Sequence, residues 1–357
     1  MGISNRDYFT LFVSAFVLVG VLTPLMRRIA IKNEVYDSPV QGHKTHKVPV
    51  PYLGGVAIII GTLTISYGAS LVSNFTKQTF WLASSALIPA LFLGVIGLID
   101  DLKNLPTWPR FLAQSLAGLF TAVLLITTDT VGNPTGNKLF DALISVFWVV
   151  GICNSINFFD NLDGGASGTV AISSLFLFLL AFDGNQFLIA ALSVVIAGST
   201  IGFLLWNKSP ARIYMGDAGA LFLGILLASL SIRLKPNFES EIASLATPVL
   251  LLAIPILDTS VAVTSRILNG KSPFQGGRDH LSHRLLEIGF SKRIAAVTLW
   301  ILTCLFALPC LIFKSFSATT SNTFLLAISL LWIALYASFM RIPVEKVILK
   351  NENSQKA

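Results

Sequence analysis

The chain has 357 residues, of which 54% are hydrophobic and only 12% are charged. Soluble domains carry a charge on about a quarter of their residues, so this composition excludes a water-soluble globule. It also argues against a disordered chain and, with three cysteines, against a disulfide scaffold. The formal charge of +7 is spread over short segments between apolar runs. This pattern indicates the positive-inside distribution of a polytopic membrane protein and not a nucleic-acid-binding surface.

Eleven apolar runs are candidates for membrane-spanning helices, because a spanning helix needs about 20 apolar residues. In chain order the eight long runs are 8–26, 52–72, 80–99, 111–128, 187–206, 242–265, 294–313 and 323–340. The three shorter runs, which could be tilted or re-entrant, are 138–153, 169–182 and 218–232. We therefore expect an all-α fold of ten or eleven spanning helices. It should form a single domain over residues 1–357, with about 343–357 as a flexible cytoplasmic tail.

The Lys and Arg residues divide unequally between the two sides of an eleven-helix arrangement. If the first helix runs from outside to inside, 19 of the 25 fall on the inner side, which the positive-inside rule assigns to the cytoplasm. All four histidines fall on that side, as do six aspartates: Asp100, Asp101, Asp160, Asp163, Asp217 and Asp279. We therefore expect the active site at the cytoplasmic face of the plasma membrane and the C-terminus in the cytoplasm.

The first polar cluster, residues 97–103, ends an apolar run with two adjacent carboxylates, Asp100 and Asp101. The C-terminal end of a helix dipole disfavours negative charge. A cation must therefore compensate, and Lys103, Arg110 or a divalent metal ion could do so. The alternative is a solvated helix end with a local salt bridge, since adjacent aspartates alone are weak evidence for a site.

The second polar cluster, residues 154–165, contains three asparagines and two aspartates but no lysine or arginine. Without an internal cation it requires hydrogen-bond donors or a hard metal ion such as Mg²⁺. Gly164 and Gly165 permit a tight turn, and the helix that follows offers N–H groups to an anion. The alternative is that Asp163 or Ser167 merely caps this helix.

The third polar cluster, residues 212–220, precedes a short apolar run. Asp217 stands on a glycine-containing turn, where its carboxylate could bind a metal ion or simply cap the helix. Arg212 could bind phosphate oxygens.

Asp258 lies within the ninth apolar run, where an ionisable group is expected to be functional. The structural alternative is that Asp258 pairs with Arg266, which lies two helical turns later.

The fourth polar cluster, residues 276–285, contains His280 and His283 between Arg278 and Arg284. A His-x-x-His pair on a helix could bind zinc, but the cluster contains neither an HExxH glutamate nor a cysteine partner. The flanking arginines favour phosphate recognition, with a basic surface loop as the alternative.

The four clusters, in this order, resemble the polyprenyl-phosphate N-acetylhexosamine-1-phosphate transferase family (glycosyltransferase family 4). The resemblance covers most of the chain, from Asp37 to about Arg293, and its histidine loop looks most like the UDP-GlcNAc branch. The matching motifs are Asp-Ser-Pro at 37–39, Asp-Asp at 100–101, Asn-x-x-Asn-x-x-Asp-x-x-Asp-Gly at 154–164 and Met-Gly-Asp-x-Gly at 215–219. The chain differs from the residues usual in the family at three positions, Ser282, Ala220 and Asn161. These differences affect the expected donor specificity more than the expected reaction.

The resemblance implies transfer of GlcNAc-1-phosphate, or another N-acetylhexosamine-1-phosphate, from a UDP-sugar to polyprenyl (undecaprenyl) phosphate, with release of UMP. This would be the first membrane step of cell-envelope glycan synthesis. The expected cofactor is Mg²⁺, with Mn²⁺ as an alternative, and the expected metal ligands are Asp217 and Asn157. The expected catalytic residues are Asp100, Asp101 and Asp160. The expected substrate-binding residues are Asn154, Asn161, Leu162, Asp163, His280, His283, Arg284, Lys44 and Arg110.

Two other functions stay open at this point. The phospho-N-acetylmuramoyl-pentapeptide transferase branch of the family, which acts in peptidoglycan synthesis, carries three consecutive histidines that this chain lacks. A membrane transporter should place its polar groups near the bilayer midplane and show paired repeats, whereas here they cluster at one surface. The expected partners are the UDP-N-acetylhexosamine, the polyprenyl phosphate and the bilayer, without nucleic acid, and a homodimer is open.

Overall fold

The computed structural model describes residues 4–37, 49–72, 76–128, 130, 137–273 and 276–343, and within these ranges the chain is mostly helical. The helices are α1 (Asn5–Lys32), α2 (Gly54–Val72), α3 (Lys77–Lys103), α4 (Thr107–Thr127), α5 (Lys138–Phe159), α6 (Gly165–Asp183), α7 (Phe187–Asn207), α8 (Gly216–Arg233), α9 (Glu241–Leu251), α10 (Ala253–Leu268), α11 (Leu281–Glu287), α12 (Lys292–Ala307), α13 (Pro309–Ile312) and α14 (Ala318–Met340). Two short strands, β1 (Tyr36–Asp37) and β2 (Val50–Pro51), pair antiparallel. Lys44 and the predicted tail beyond residue 343 lie outside the described residues.

Each predicted apolar run is helical, and two of them, 242–265 and 294–313, are divided between consecutive helices. Among the described residues, ten helical segments are long and apolar enough to cross a membrane, where α12, α13 and the turn after them count as one segment, Lys292–Ser315. The number of spans is eleven if the bent pair α9–α10 counts as one. The three shorter runs correspond to α5, α6 and α8, which all reach spanning length. The predicted all-α, polytopic membrane fold is therefore confirmed.

The ninth predicted span, 242–265, is broken near its middle. α9 and α10 meet at an angle of 69°, and Leu252 lies between them. Pro255 accounts for the break, because it has no N–H to donate and its ring would clash with the carbonyl of Leu251 four residues earlier. The second half, α10, packs against α5 and α14 and carries Asp258.

α8 forms the centre of the bundle. Every residue of this helix except Asp217 is buried, as expected for a helix that is apolar on all sides. Glycines let two neighbouring helices approach its first turn. A Cβ on Gly97 of α3 would lie 2.4 Å from the Asp217 carbonyl oxygen, and one on Gly55 of α2 would lie 2.2 Å from the Gly219 nitrogen. The end of α3, which carries the first cluster, therefore lies directly beside the third cluster.

Contacts between helix ends define two opposite ends of the bundle. At one end, Arg27 Nε donates to the carbonyl of Arg212 at 3.0 Å. At the other end, Lys314 forms an exposed ion pair with Asp183 at 2.6 Å. The four polar clusters lie at the first of these ends, and the predicted assignment of that end to the cytoplasm stays a prediction.

Candidate active site

Asp217, in the first turn of α8, joins three of the four polar clusters. Its Oδ1 accepts a hydrogen bond from Asn157 Nδ2 of the second cluster at 2.7 Å. Its Oδ2 accepts one from Arg110 Nη1 at 3.0 Å, and the same nitrogen donates to Asp100 Oδ2 of the first cluster at 2.7 Å. Residues more than 100 positions apart are therefore linked in one chain of polar contacts at one end of the bundle.

Arg110 is the cation that compensates the first cluster. The Asp100 side chain is only 6% exposed, whereas that of Arg110 is 31% exposed. The second oxygen of Asp100 accepts a hydrogen bond from the Leu105 N–H at 2.6 Å. Asp100 is therefore not solvated, although it forms the local salt bridge of that alternative, with Arg110 and not with the exposed Lys103. One arginine contacts two carboxylates, so this part of the site keeps a net negative charge.

Asp101 caps the N-terminus of α8. Its Oδ1 accepts a hydrogen bond from the N–H of Asp217 at 2.8 Å, and its Oδ2 accepts one from the N–H of Ala218 at 3.1 Å. N–H groups in a first helical turn have no partner within the helix, and a carboxylate is favourable at this end of the helix dipole. The alternative that Asp217 is merely a helix cap is wrong, because its two oxygens accept hydrogen bonds from Asn157 and Arg110.

Gly216 makes room for this cap. Its φ of +71° is a left-handed conformation that residues with a Cβ rarely adopt. A Cβ at this position would also lie 2.5 Å from Asp101 Oδ2. Two separate constraints therefore account for the glycine before Asp217 in the Met-Gly-Asp motif.

The second cluster forms the end of α5 and is held by α4. Asn154 Nδ2 donates to Gln114 Oε1 at 2.6 Å, and Asn161 Nδ2 donates to the Phe158 carbonyl at 2.6 Å. Sequence reasoning missed Gln114. It lies four residues after Arg110 on the same face of α4, and this spacing is the signal that could have found it.

The turn from α5 into α6 is held by α7 and the loop after it. Gly164, with a φ of +75°, donates its N–H to Asn207 Oδ1 at 3.1 Å, and Ser167 Oγ donates to the same oxygen at 2.8 Å. Asp163 Oδ2 accepts a hydrogen bond from the Ala211 N–H at 3.2 Å. Neither Asp163 nor Ser167 caps α6, so the helix-cap alternative is wrong. Asn207 is a second residue that sequence reasoning missed, since a lone amide at the end of an apolar run gives no signal.

Negative charge accumulates around the second cluster. Burial, and then the nearby carboxylates of Asp217 and Asp163, raise the pKa of Asp160 to about 7. Such an excess of carboxylate fits a hard divalent cation. Asp217 and Asn157 would supply a carboxylate and an amide oxygen to it once the contact between Asn157 Nδ2 and Asp217 Oδ1 opens. The described residues contain no group of three or more His, Cys, Asp or Glu that could hold a metal ion. Mg²⁺ usually takes one or two protein carboxylates and keeps several waters.

The fourth cluster is tied to α10 by a partly buried pair and a buried pair. Arg266 donates from Nε and Nη2 to Asp279 at 2.7 and 2.9 Å, and Asp258 Oδ2 lies 2.7 Å from His280 Nδ1. The alternative that Asp258 pairs with Arg266 is therefore wrong, because each takes its partner from the loop before α11. Burial by itself would raise the pKa of Asp279, but the hydrogen bonds and the positive charge of Arg266 hold this pKa below its ordinary value.

Arg284 anchors the last spanning helix. It is 2% exposed and donates from Nη1 to the carbonyls of Phe339 and Ile342 at the end of α14, where a cation is favourable. His283 is also buried, and its ring centroid lies 5.9 Å from that of His280. Arg284 and His280 both have partners within the protein, so their predicted contacts with substrate stay predictions.

Comparisons with known proteins point to one family. Residues 83–235, which include the first three clusters, match the model of glycosyl transferase family 4. A probable undecaprenyl-phosphate N-acetylglucosaminyl 1-phosphate transferase of Bacillus subtilis is 33% identical over 96% of this chain and 92% of its own length. A decaprenyl-phosphate N-acetylglucosaminephosphotransferase of Mycobacterium leprae is 31% identical over 84% of this chain and 82% of its own.

A relative from another branch matches a smaller part of the chain. The phospho-N-acetylmuramoyl-pentapeptide-transferase of Streptococcus mutans is 28% identical over 63% of this chain and 72% of its own length. The family resemblance read from the four clusters is confirmed by these matches. The chain belongs to glycosyl transferase family 4.

Proposed function

We propose that this chain transfers GlcNAc-1-phosphate, or a closely related N-acetylhexosamine-1-phosphate, from its UDP-sugar to polyprenyl phosphate and releases UMP. The observation that carries the proposal is the contact of Asp217 with both Asn157 and Arg110, which also binds Asp100. The motifs of the family thereby meet at one point. Relatives that match 84% or more of the chain are named as N-acetylglucosamine phosphotransferases of undecaprenyl or decaprenyl phosphate.

Neutralisation of charge should supply most of the catalysis, because an anionic lipid phosphate must attack an anionic diphosphate. Asp217 and Asn157 would hold Mg²⁺, which when bound offsets charge on the diphosphate and on the departing UMP. The excess of carboxylate around Asp160 supports a cation at this position. Arg110 is partly exposed and can reach an incoming phosphate oxygen from its place between Asp100 and Asp217.

Asp100 is the proposed proton acceptor or positioning group for the lipid phosphate. The Leu105 N–H and Arg110 each hold one of its oxygens, so the carboxylate has a fixed orientation. Direct displacement at the β-phosphorus is the simpler mechanism, since a phosphate monoester needs little activation. The catalytic role predicted for Asp101 stays untested, and its contacts support action through the backbone of α8 instead.

The donor is proposed to bind where the second and fourth clusters meet. Ser282 Oγ donates to Asn161 Oδ1 and joins the two clusters directly. The uridine pocket would then be lined, as the family resemblance implies, by Asp160, Asn161, Leu162 and Asp163.

A second candidate function is transfer of phospho-N-acetylmuramoyl-pentapeptide. Relatives of that name are 28–31% identical over 62–65% of this chain. The fourth cluster has two separated histidines instead of three consecutive ones, which favours the GlcNAc donor.

The test uses the full-length chain, purified in detergent, with undecaprenyl phosphate and Mg²⁺. UDP-GlcNAc, UDP-GalNAc and UDP-MurNAc-pentapeptide are supplied in turn, and UMP release is measured with and without the lipid and with EDTA. We expect lipid-dependent and metal-dependent release that is fastest with UDP-GlcNAc. Release with the pentapeptide donor alone would support the second candidate, and no release with any donor would contradict both. Asp183→Asn, at the opposite end of the bundle, is the control for variants of the site.

A further inference from the structure

Asp258 is a fully buried carboxylate in α10 that the proposed reaction does not use. It is 0% exposed and lies within a membrane-spanning segment, where a charged group is costly unless it has partners. Its Oδ1 accepts a hydrogen bond from the Leu281 N–H at 2.7 Å, and its Oδ2 lies 2.7 Å from His280 Nδ1. Both oxygens therefore bind the start of α11.

The partners of His280 determine its tautomer. The Asp258 carboxylate can only accept, so His280 Nδ1 must carry a proton. The other ring nitrogen, Nε2, lies 3.0 Å from Arg266 Nη2, and a guanidinium can only donate. These two contacts match the Nδ1–H tautomer, in which His280 donates from Nδ1 to a carboxylate and accepts at Nε2 from an arginine.

Arg266 continues this chain of contacts to the second cluster. Its Nε and Nη2 bind Asp279, and its Nη1 donates to the Pro273 carbonyl at 2.8 Å. The guanidinium carbon lies 5.3 Å from the centroid of the Phe158 ring, within the range of a cation–π contact. Phe158 directly follows Asn157, the proposed metal ligand. The position of Arg266 therefore affects the position of the α5 backbone that carries Asn157.

We propose that Asp258 is a positioning residue for the active site. It holds His280 as the Nδ1–H tautomer, which leaves Nε2 as the acceptor for Arg266. Arg266 is thereby fixed against Phe158 and holds the end of α5 in place. The catalytic consequence rests on the proposed function, whereas the tautomer itself does not.

Replacing Asp258 by Asn should reverse the tautomer. The single oxygen of Asn can accept the Leu281 N–H, but its NH₂ group then faces Nδ1, which must lose its proton to accept. The proton would move to Nε2 and face the donors of Arg266. The N–H groups of His280 Nε2 and Arg266 Nη2 would then face each other in a buried place, so the hydrogen bond between them would be lost.

The experiment combines nitrogen NMR of ¹⁵N-histidine-labelled full-length protein with the UMP-release assay. The His280 signals are assigned with a His280→Ala variant, and spectra are recorded at pH 8. We expect a protonated Nδ1 and an unprotonated Nε2 in the unsubstituted protein, and the reverse in Asp258→Asn. We also expect kcat of Asp258→Asn to fall on the order of 10- to 100-fold, as for partners that orient histidines at metal sites, with a smaller change in KM.

Two controls separate positioning from a general loss of stability. Asp141→Asn removes another buried carboxylate, in α5, and should leave kcat close to that of the unsubstituted protein. In a His280→Ala background, Asp258→Asn should have little further effect on kcat, because it acts through His280.

Three results would overturn the proposal. One is a protonated Nε2 in the unsubstituted protein, a result that needs no variant to fold. Another is an Asp258→Asn protein that keeps the original kcat, and the third is an equal loss of kcat with and without His280. If the unsubstituted protein releases no UMP with any donor, the proposed function is wrong, and the NMR signals by themselves decide the tautomer.

Discussion

Replacing Asp101 by Asn would remove one of the two oxygen atoms that cap α8. The remaining oxygen can accept one hydrogen bond, from Asp217 or Ala218, and the new NH₂ group would face the other N–H. A hydrogen bond to a charged group contributes about 1.5–3 kcal/mol, and the charge at the helix N-terminus contributes about 0.3–1 kcal/mol more. The substitution also removes the cost of burying this charge and its repulsion from the Asp217 and Asp100 carboxylates, which offsets part of the loss. We expect a net destabilisation of about 1–3 kcal/mol.

Unfolding in mixed detergent and SDS micelles, followed by tryptophan fluorescence, measures this loss. Asp183→Asn is the matched control, because its carboxylate forms an exposed ion pair with Lys314 and such pairs contribute about 0–1 kcal/mol. The UMP-release assay should show lower kcat for Asp101→Asn, since the cap holds the backbone of Asp217. Equal unfolding midpoints for Asp101→Asn and Asp183→Asn would refute the capping role.

Four further predictions concern the site and its orientation. Asp217→Asn should nearly abolish UMP release while the protein stays folded in detergent, and a fully active, Mg²⁺-dependent variant would remove Asp217 from the metal site. Asp100→Asn should lower kcat far more than it raises the KM for UDP-GlcNAc, and unchanged turnover would reduce Asp100 to a structural helix end. The pKa of Asp160 is raised from 3.8 to about 7 in the folded protein. Between pH 3.8 and pH 7 the folded protein therefore keeps a proton on Asp160 that the unfolded chain releases. The stability of the metal-free protein should therefore fall between these two pH values, and Asp160→Asn should flatten that slope in unfolding measurements at several pH values. Cysteines placed at Lys44, Lys103 and Lys271 should resist a membrane-impermeant label in intact cells, and labelling from outside would reverse the topology.

The sequence by itself determines that this is a polytopic helical membrane protein. Spanning helices can be read from single segments, because a helix in lipid satisfies its own backbone and needs only a long enough apolar run. The sequence also identified the four polar clusters that meet at one end of the bundle, although not Gln114 or Asn207, because clusters of carboxylates and amides stand out at the ends of apolar runs. The break between α9 and α10 also has a local cause, Pro255. The break was not predicted, because the residues around Pro255 form one continuous apolar run.

Only the tertiary structure decided which polar groups pair. Arg110 rather than Lys103 compensates Asp100, and Asp101 rather than Asp217 caps α8. Asp258 binds His280 although Arg266 lies closer in sequence.

The physical reason is that hydrophobic periodicity identifies which residues share a face of one helix, whereas a hydrogen bond between helices depends on distances of about 3 Å. Those distances follow from how closely helices approach. At the start of α8 they are set by glycines such as Gly97, whose missing side chain leaves room for a neighbour that no local pattern identifies.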